Sequence, residues 1–271
     1  MTGIRKSLAA GALLATFGSG VGAQEVPDDI LRAELRGGWQ TDSGSRMAAL
    51  HLTLAPGWKT YWRAPGDAGF PPSFDWRGSE NIGAVSFHWP RPDIFDLNGM
   101  RTLGYHDELV LPIELRPERA GAPIRAVARI DLGVCDEICV PVTVEVAADL
   151  SGNGAPDPLI RAALDDVPES AATAGLSSTH CAAEPIRDGL RLTTELALPT
   201  LGANEFAVVE LTGSPVWVSA AETRREGGAL IMQTDLVPAN AQPFALDRSK
   251  VRITVFADGG RAVDVQGCGN G

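Results

Sequence analysis

Between Arg32 and about Ala148, apolar and polar positions alternate in short runs broken by Gly and Pro: RMAALHLTLAPGW, ELVLPIELRP, PIRAVARIDLGVC and VPVTVEVAA. In the third run Ile124, Ala126, Ala128, Ile130 and Leu132 take every second place, with Arg125, Val127, Arg129 and Asp131 between them. Period two predicts strands with one buried face, because successive side chains point to opposite sides of a sheet. No helical periodicity runs through this block.

Residues 149–178 shift to Gly, Pro, Ala and Ser, as connecting segments do. Within them Asp157 suits an N-cap and Pro158 a first helical position, which predicts a short helix over 158–167 ended by Pro168. Alternation returns in GLRLTTELALP, EFAVVELTG, PVWVSAAETRR, ALIMQTDLV and KVRITVFADGGRAVDVQGC, the last a hairpin around Asp258-Gly259-Gly260. Short strands at this spacing predict β-sandwiches, and two blocks predict two in tandem. The expected division is 24–150 and 179–271, with a helix-bearing linker at 151–178.

Residues 1–23 have a basic start (Arg5, Lys6), a short apolar middle and a small-residue exit at Val21-Gly22-Ala23. This predicts a secretory signal peptide cut before Gln24, and hence an exported, periplasmic protein with no stable membrane insertion after cleavage. Arg5 and Lys6 are the only charges before residue 24, so cleavage takes the formal net charge from −11 to −13. Such a surface repels nucleic acid and anionic lipid. Export also favours oxidised cysteines.

Four cysteines allow three pairings. Cys181 and Cys268 stand near the two ends of the second block, where a bond would tie down both edges of one sandwich. Closing so long a loop is worth about 4–5 kcal/mol in the chain-entropy account. That pair reads as a structural disulfide, which leaves Cys135 with Cys139. An extended chain would hold their Cα atoms about 13 Å apart, whereas a disulfide needs roughly 4.4–6.8 Å. Bonding therefore requires Asp136-Glu137-Ile138 to form a tight turn or one helical turn. So small a ring adds little by loop closure. An accessible small-loop disulfide is instead the labile kind, suited to exchange.

Other readings of the same pair stay open. It is a plain staple at a strand bend, or two soft thiolates that capture Cu(I), with Met100 as a further ligand. A zinc site is disfavoured, since His51, His88, His106 and His180 supply no second ligand pair; no cofactor or metal is expected. Asp136 and Glu137 beside the thiols disfavour thiolate, so a reduced pair would wait for a docked partner.

The ordered runs APGWKTYWRAPGDAGFPPSFDW (55–76), WPRPDIFDLNGMRTLGYHDELVLPIEL (89–115) and LGVCDEICVPVTVEV (132–146) carry a resemblance. The chain resembles the periplasmic N-terminal domain of the DsbD thiol:disulfide interchange proteins, closest to the ScsB (suppressor of copper sensitivity) branch. The likeness is strong over 30–150 and looser beyond. It implies an all-β protein of two tandem immunoglobulin-like sandwiches in which Cys135 and Cys139 shuttle electrons. The implied partners are a membrane electron-transfer protein of the DsbD/ScsB type and periplasmic thioredoxin-like proteins, with Cys139 the sulfur that hands electrons on. It also implies that Phe95 in PDIFDLNG caps the disulfide, that Asp93 lies near the thiols, and that Trp58 and Tyr61 flank the site. Two departures are that the three-residue spacer is shorter than in the best-known DsbD domains, and that the chain carries neither a multi-span electron carrier nor a C-terminal thioredoxin domain. A standalone module is expected.

Duller roles compete for several of these residues. Trp39, Trp58, Trp62, Trp76 and Trp89 read mostly as packing, with Trp58 and Tyr61 balanced between core and site. GDAGFPPSF reads as chain reversal, Phe70 excepted. His106 reads as a loop histidine or a proton carrier. A binding module that recognises sugars through exposed tryptophans is a third class, and it predicts that the cysteines are dispensable.

Overall fold

The computed structural model describes residues 30–66, 69–97 and 99–269; the expected signal peptide lies outside them. The first block folds into strands β1 (Leu31–Gln40), β2 (Arg46–Leu54), β3 (Lys59–Gly66), β4 (Ser73–Asp75), β5 (Ala84–Phe87), β6 (Asp93–Leu97), β7 (Met100–His106), β8 (Glu108–Arg116), β9 (Ile124–Cys135) and β10 (Cys139–Leu150). They make two antiparallel sheets, ordered β1-β2-β8-β5 and β10-β9-β3-β7-β6, with β4 added on β9. The sheets close over one apolar core that includes Leu50, Trp62, Leu103, Leu111 and Ile113. The fold is all-β and immunoglobulin-like.

The alternation in β9 is visible in its burial. Ile124, Ala126, Ala128 and Ile130 enter the core while Arg125, Arg129 and Asp131 are exposed. From Leu132 to Cys135 the alternation fails because every residue is buried. Leu132 and Val134 continue into the core, and the outward pair Gly133 and Cys135 is covered by something else.

Helix α1 (Pro158–Asp165) follows, with Asp157 as its N-cap accepting from the Leu159 and Ile160 backbone N–H groups. The second sandwich begins earlier than position 179, because β11 (Glu169–Ser170) already pairs with its last strand. It continues through β12 (Thr179–Ile186), β13 (Gly189–Leu196), β14 (Phe206–Leu211), β15 (Val216–Val218), β16 (Glu222–Glu226), β17 (Ala229–Pro238), β18 (Val251–Phe256) and β19 (Ala262–Gln266). Its sheets are β11-β19-β18-β14 and β12-β13-β17-β15, with β16 on β17, around a separate core. Cys181 is bonded to Cys268, linking β12 to the segment after β19. Among the described residues no helix is long and apolar enough to cross a membrane. Trp62 and Trp89 are buried, whereas Trp217 on β15 is exposed.

Candidate functional site

Cys135 ends β9 and Cys139 begins β10, and the two face each other in the antiparallel register. Their Cα atoms are 4.1 Å apart and the sulfurs are bonded. That spacing is close to the ~4.5 Å of antiparallel pairs that exchange no backbone hydrogen bonds. The tight turn that bonding requires thus closes a hairpin between two twelve-residue strands. Asp136-Glu137-Ile138 is its turn, with the Asp136 N–H donating to the Ile138 carbonyl at 3.2 Å.

Register places the neighbours. Lys59 on β3 stands opposite Cys135 on one side and His106 of β7 on the other. Directly opposed residues share a face, so Cys139, Cys135, Lys59 and His106 form one row across four strands on the outer face of the larger sheet. Tyr61, two residues beyond Lys59, points the same way. Its hydroxyl lies 2.9 Å from Cys135 Sγ and 3.2 Å from Cys139 Sγ. A phenol donates where a disulfide sulfur accepts only weakly, so the proton belongs to Tyr61.

Tyr61 is 3% exposed although it faces outward. The Gly69-Phe70 segment covers it: a Cβ on Gly133 would come within 2.9 Å of Phe70 Cβ and 3.2 Å of the Tyr61 ring. Glycine at 133 is what lets the ring and Phe70 lie on β9. Across the sheet Gly104 serves the same close approach, since a Cβ there would meet the Thr60 carbonyl oxygen. Burial pushes the Tyr61 phenol above its ordinary value, so it stays a donor at neutral pH.

The two sulfurs are unequal. Cys135 is 1% exposed, while Cys139 and the whole turn between them are exposed, Ile138 at 70%. An incoming thiolate has access to Cys139 and not to Cys135. Phe70, 55% exposed, and Ile138 make the surroundings apolar, with Asp136 and Glu137 exposed beside them.

Phe95 and Asp93, on β6, lie on the same outer face but three strands from Cys135, with β3 and β7 between. The Phe95 ring packs edge-on to His106 and carries Lys59 Nζ at 4.6 Å from its centroid. Asp93 Oδ2 is 2.7 Å from His106 Nδ1. Phe95 thus reaches the disulfide's neighbour Lys59, while the aromatic that touches the sulfurs is Tyr61. Trp58 is half-buried against the first core. Lys59 escapes a reading of the sequence alone, although its place two residues before Tyr61 in a period-two run is the signal that assigns it to the same face.

Residues 29–151 match the family described as thiol:disulfide interchange protein DsbD, N-terminal. The fold is similar to the crystal structure of the N-terminal periplasmic domain of ScsB from Proteus mirabilis, with 23% sequence identity and a TM-score of 0.60. That match covers 92% of this chain and 98% of the other. The reduced N-terminal domain of DsbD from Neisseria meningitidis aligns at 20% identity and a TM-score of 0.27, over 44% of this chain and 86% of that one. No curated protein matches the sequence.

Proposed function

We propose that the chain is a periplasmic thiol-disulfide exchange module that relays electrons from a membrane reductase of the DsbD/ScsB type to thioredoxin-like proteins. The observation that carries the reading is the asymmetric hairpin disulfide: an exposed Cys139, a buried Cys135, and one tyrosine hydroxyl on both sulfurs. The N-terminal DsbD match over 29–151 supports it.

In the loading step a reductase thiolate attacks Cys139 Sγ, the Cys135–Cys139 bond breaks, and Cys135 leaves as a thiolate. Tyr61 donates to that thiolate, which makes Cys135 a better leaving group. The reductase's second thiol attacks its own sulfur in the mixed disulfide and frees Cys139. In the delivery step the Cys139 thiolate attacks a partner disulfide, and Cys135 then attacks Cys139 Sγ. The partner leaves with two electrons and two protons, and the intramolecular disulfide re-forms. Phe95 and Asp93 serve as the rim that orders Lys59 and His106 beside the pair.

Exported fractions of cells carrying Cys135→Ser test the relay. Without the resolving thiol, Cys139 should remain in a mixed disulfide with a thioredoxin-like or membrane protein. A variant that accumulates no such adduct, in cells where the wild-type pair cycles, removes the relay.

A further inference from the structure

The strand that carries Tyr61 is held in an unusual way. On the β9 side, β3 pairs only through Lys59 and Thr60, after which β4 takes over the edge of β9. On the β7 side it pairs as far as Tyr61↔Gly104, and regular register resumes only at Gly66↔Thr102. Four residues of β3, 62–65, therefore stand against Leu103 alone on β7, and the segment after Tyr61 leaves the ladder as an irregular bulge.

What holds that segment is the second sandwich. The outer face of β14 and β18 presents Phe206, Val208 and Glu210 opposite Phe256, Thr254 and Arg252, with Asp264 of β19 opposite Thr254. Their neighbours Val209, Ile253 and Val255 fill the second core. Trp62, fully buried, meets Phe256 edge to face at 5.5 Å, and Phe256 is buried in the first sandwich's core. Arg63 lies over the Trp62 ring at 3.9 Å. It donates from Nε to both Glu210 carboxylate oxygens at 3.0 and 3.2 Å, and from Nη2 to Thr254 Oγ1 at 3.0 Å. Asp264 lies 3.8 Å from Nη2 and is also paired with Arg252. Burial pushes the Arg63 guanidinium down and the Glu210 carboxyl up, so each charge relies on the other.

We propose that the second sandwich is a brace on β3, and that Arg63 is a positioning residue. By gripping Trp62 and Arg63 where the sheet does not, it fixes the Tyr61 hydroxyl over the two sulfurs and so sets the reactivity of the Cys135–Cys139 pair from the neighbouring domain. The inference rests on the exchange reading above and assigns the second domain a part in it. A mispositioned hydroxyl costs rate because the donor must already point at the charge as it develops on Cys135.

The test is the rate of reduction of the full chain by dithiothreitol across pH, for wild type, Arg63→Leu, Arg63→Lys, Tyr61→Phe and Arg63→Leu/Tyr61→Phe. The brace predicts that Arg63→Leu slows reduction severalfold, that Arg63→Lys restores part of the loss, and that Arg63→Leu changes little once Tyr61 is Phe. It also predicts that Arg63→Leu raises the pH at which Cys135 of the reduced protein is alkylated. Phe256→Leu, which stays apolar, gives the same coupled pattern if Arg63→Leu fails to fold. Rates that respond to Tyr61→Phe but not to Arg63→Leu or Phe256→Leu, or losses that multiply in full, overturn the brace and leave the exchange reading intact. A wild-type pair that dithiothreitol cannot reduce in the folded protein overturns the exchange reading itself.

Discussion

The hydroxyl of Tyr61 lies 2.9 Å from Cys135 Sγ, the buried half of a disulfide whose other half, Cys139, is exposed. One sulfur is open to attack and the other is supplied with a proton donor for the charge it must take up. Most of the behaviour expected of this chain follows from that asymmetry.

Tyr61→Phe keeps the covering ring and deletes the donor. A hydrogen bond to a charged group is worth about 1.5–3 kcal/mol, so reduction of the Cys135–Cys139 bond should slow by roughly 10- to 100-fold. Thermal stability should change by only about 1 kcal/mol, because a weak acceptor is all that the folded, oxidised state loses. Stopped-flow reduction alongside a thermal melt separates the two effects.

Gly133→Val should displace Phe70, whose Cβ lies 2.9 Å from where a side chain at 133 would begin. The expected result is a reduced protein in which Cys135 is alkylated nearly as fast as Cys139, whereas in wild type Cys139 reacts first. Peptide mapping after limited alkylation reads the order directly.

The Cys181–Cys268 bond should behave in the opposite way to the hairpin pair. Cys181 is 2% exposed and the bond closes 87 residues of chain. Its removal by Cys181→Ala/Cys268→Ala should cost about 4–5 kcal/mol by loop closure. Mild reductant should open Cys135–Cys139 while leaving this bond intact, as differential thiol labelling would record.

Acid should weaken the second sandwich in part through Glu205. Burial raises that carboxyl, but the Arg225 guanidinium and the Leu201 N–H outweigh it and hold it below its ordinary 4.5. A folded value below the unfolded one means that the unfolded chain takes up the proton first. The stability contributed is full above the unfolded value and is lost as pH falls through the folded one. Glu205→Gln should be less stable at neutral pH by about 1 kcal/mol, with a flatter decline in acid, measured by circular dichroism melts across that range.

The sequence makes some of this legible because some of it is local. Period two in 124–131 is a property of one strand, and the cap at Asp157 is a property of one turn. The turn at 136–138 is forced by the reach of two cysteines four positions apart. What the pattern of residues does not carry depends on register between distant strands: Lys59 opposite Cys135, and the contact of the Tyr61 hydroxyl with the sulfurs from a strand 74 residues away, where the resemblance implied only that Tyr61 flanks the site. The burial of Gly133 and Cys135 breaks the alternation for the same reason, since their cover comes from 61 and 70. The early start of the second sandwich was hidden because a two-residue strand at 169–170 has no period to detect. The interface between sandwiches left one trace. Phe256 is an aromatic on the face of β18 that otherwise carries Arg252 and Thr254.

The most direct test of the central claim is the redox equilibrium of the Cys135–Cys139 pair. The full chain would be equilibrated in graded glutathione or dithiothreitol buffers and the disulfide fraction counted by mass after thiol trapping. The account predicts one reversible two-electron transition in the range of exchange proteins, roughly −180 to −270 mV, approached equally from either side. A pair that stays oxidised below about −300 mV, as structural disulfides do, would contradict it.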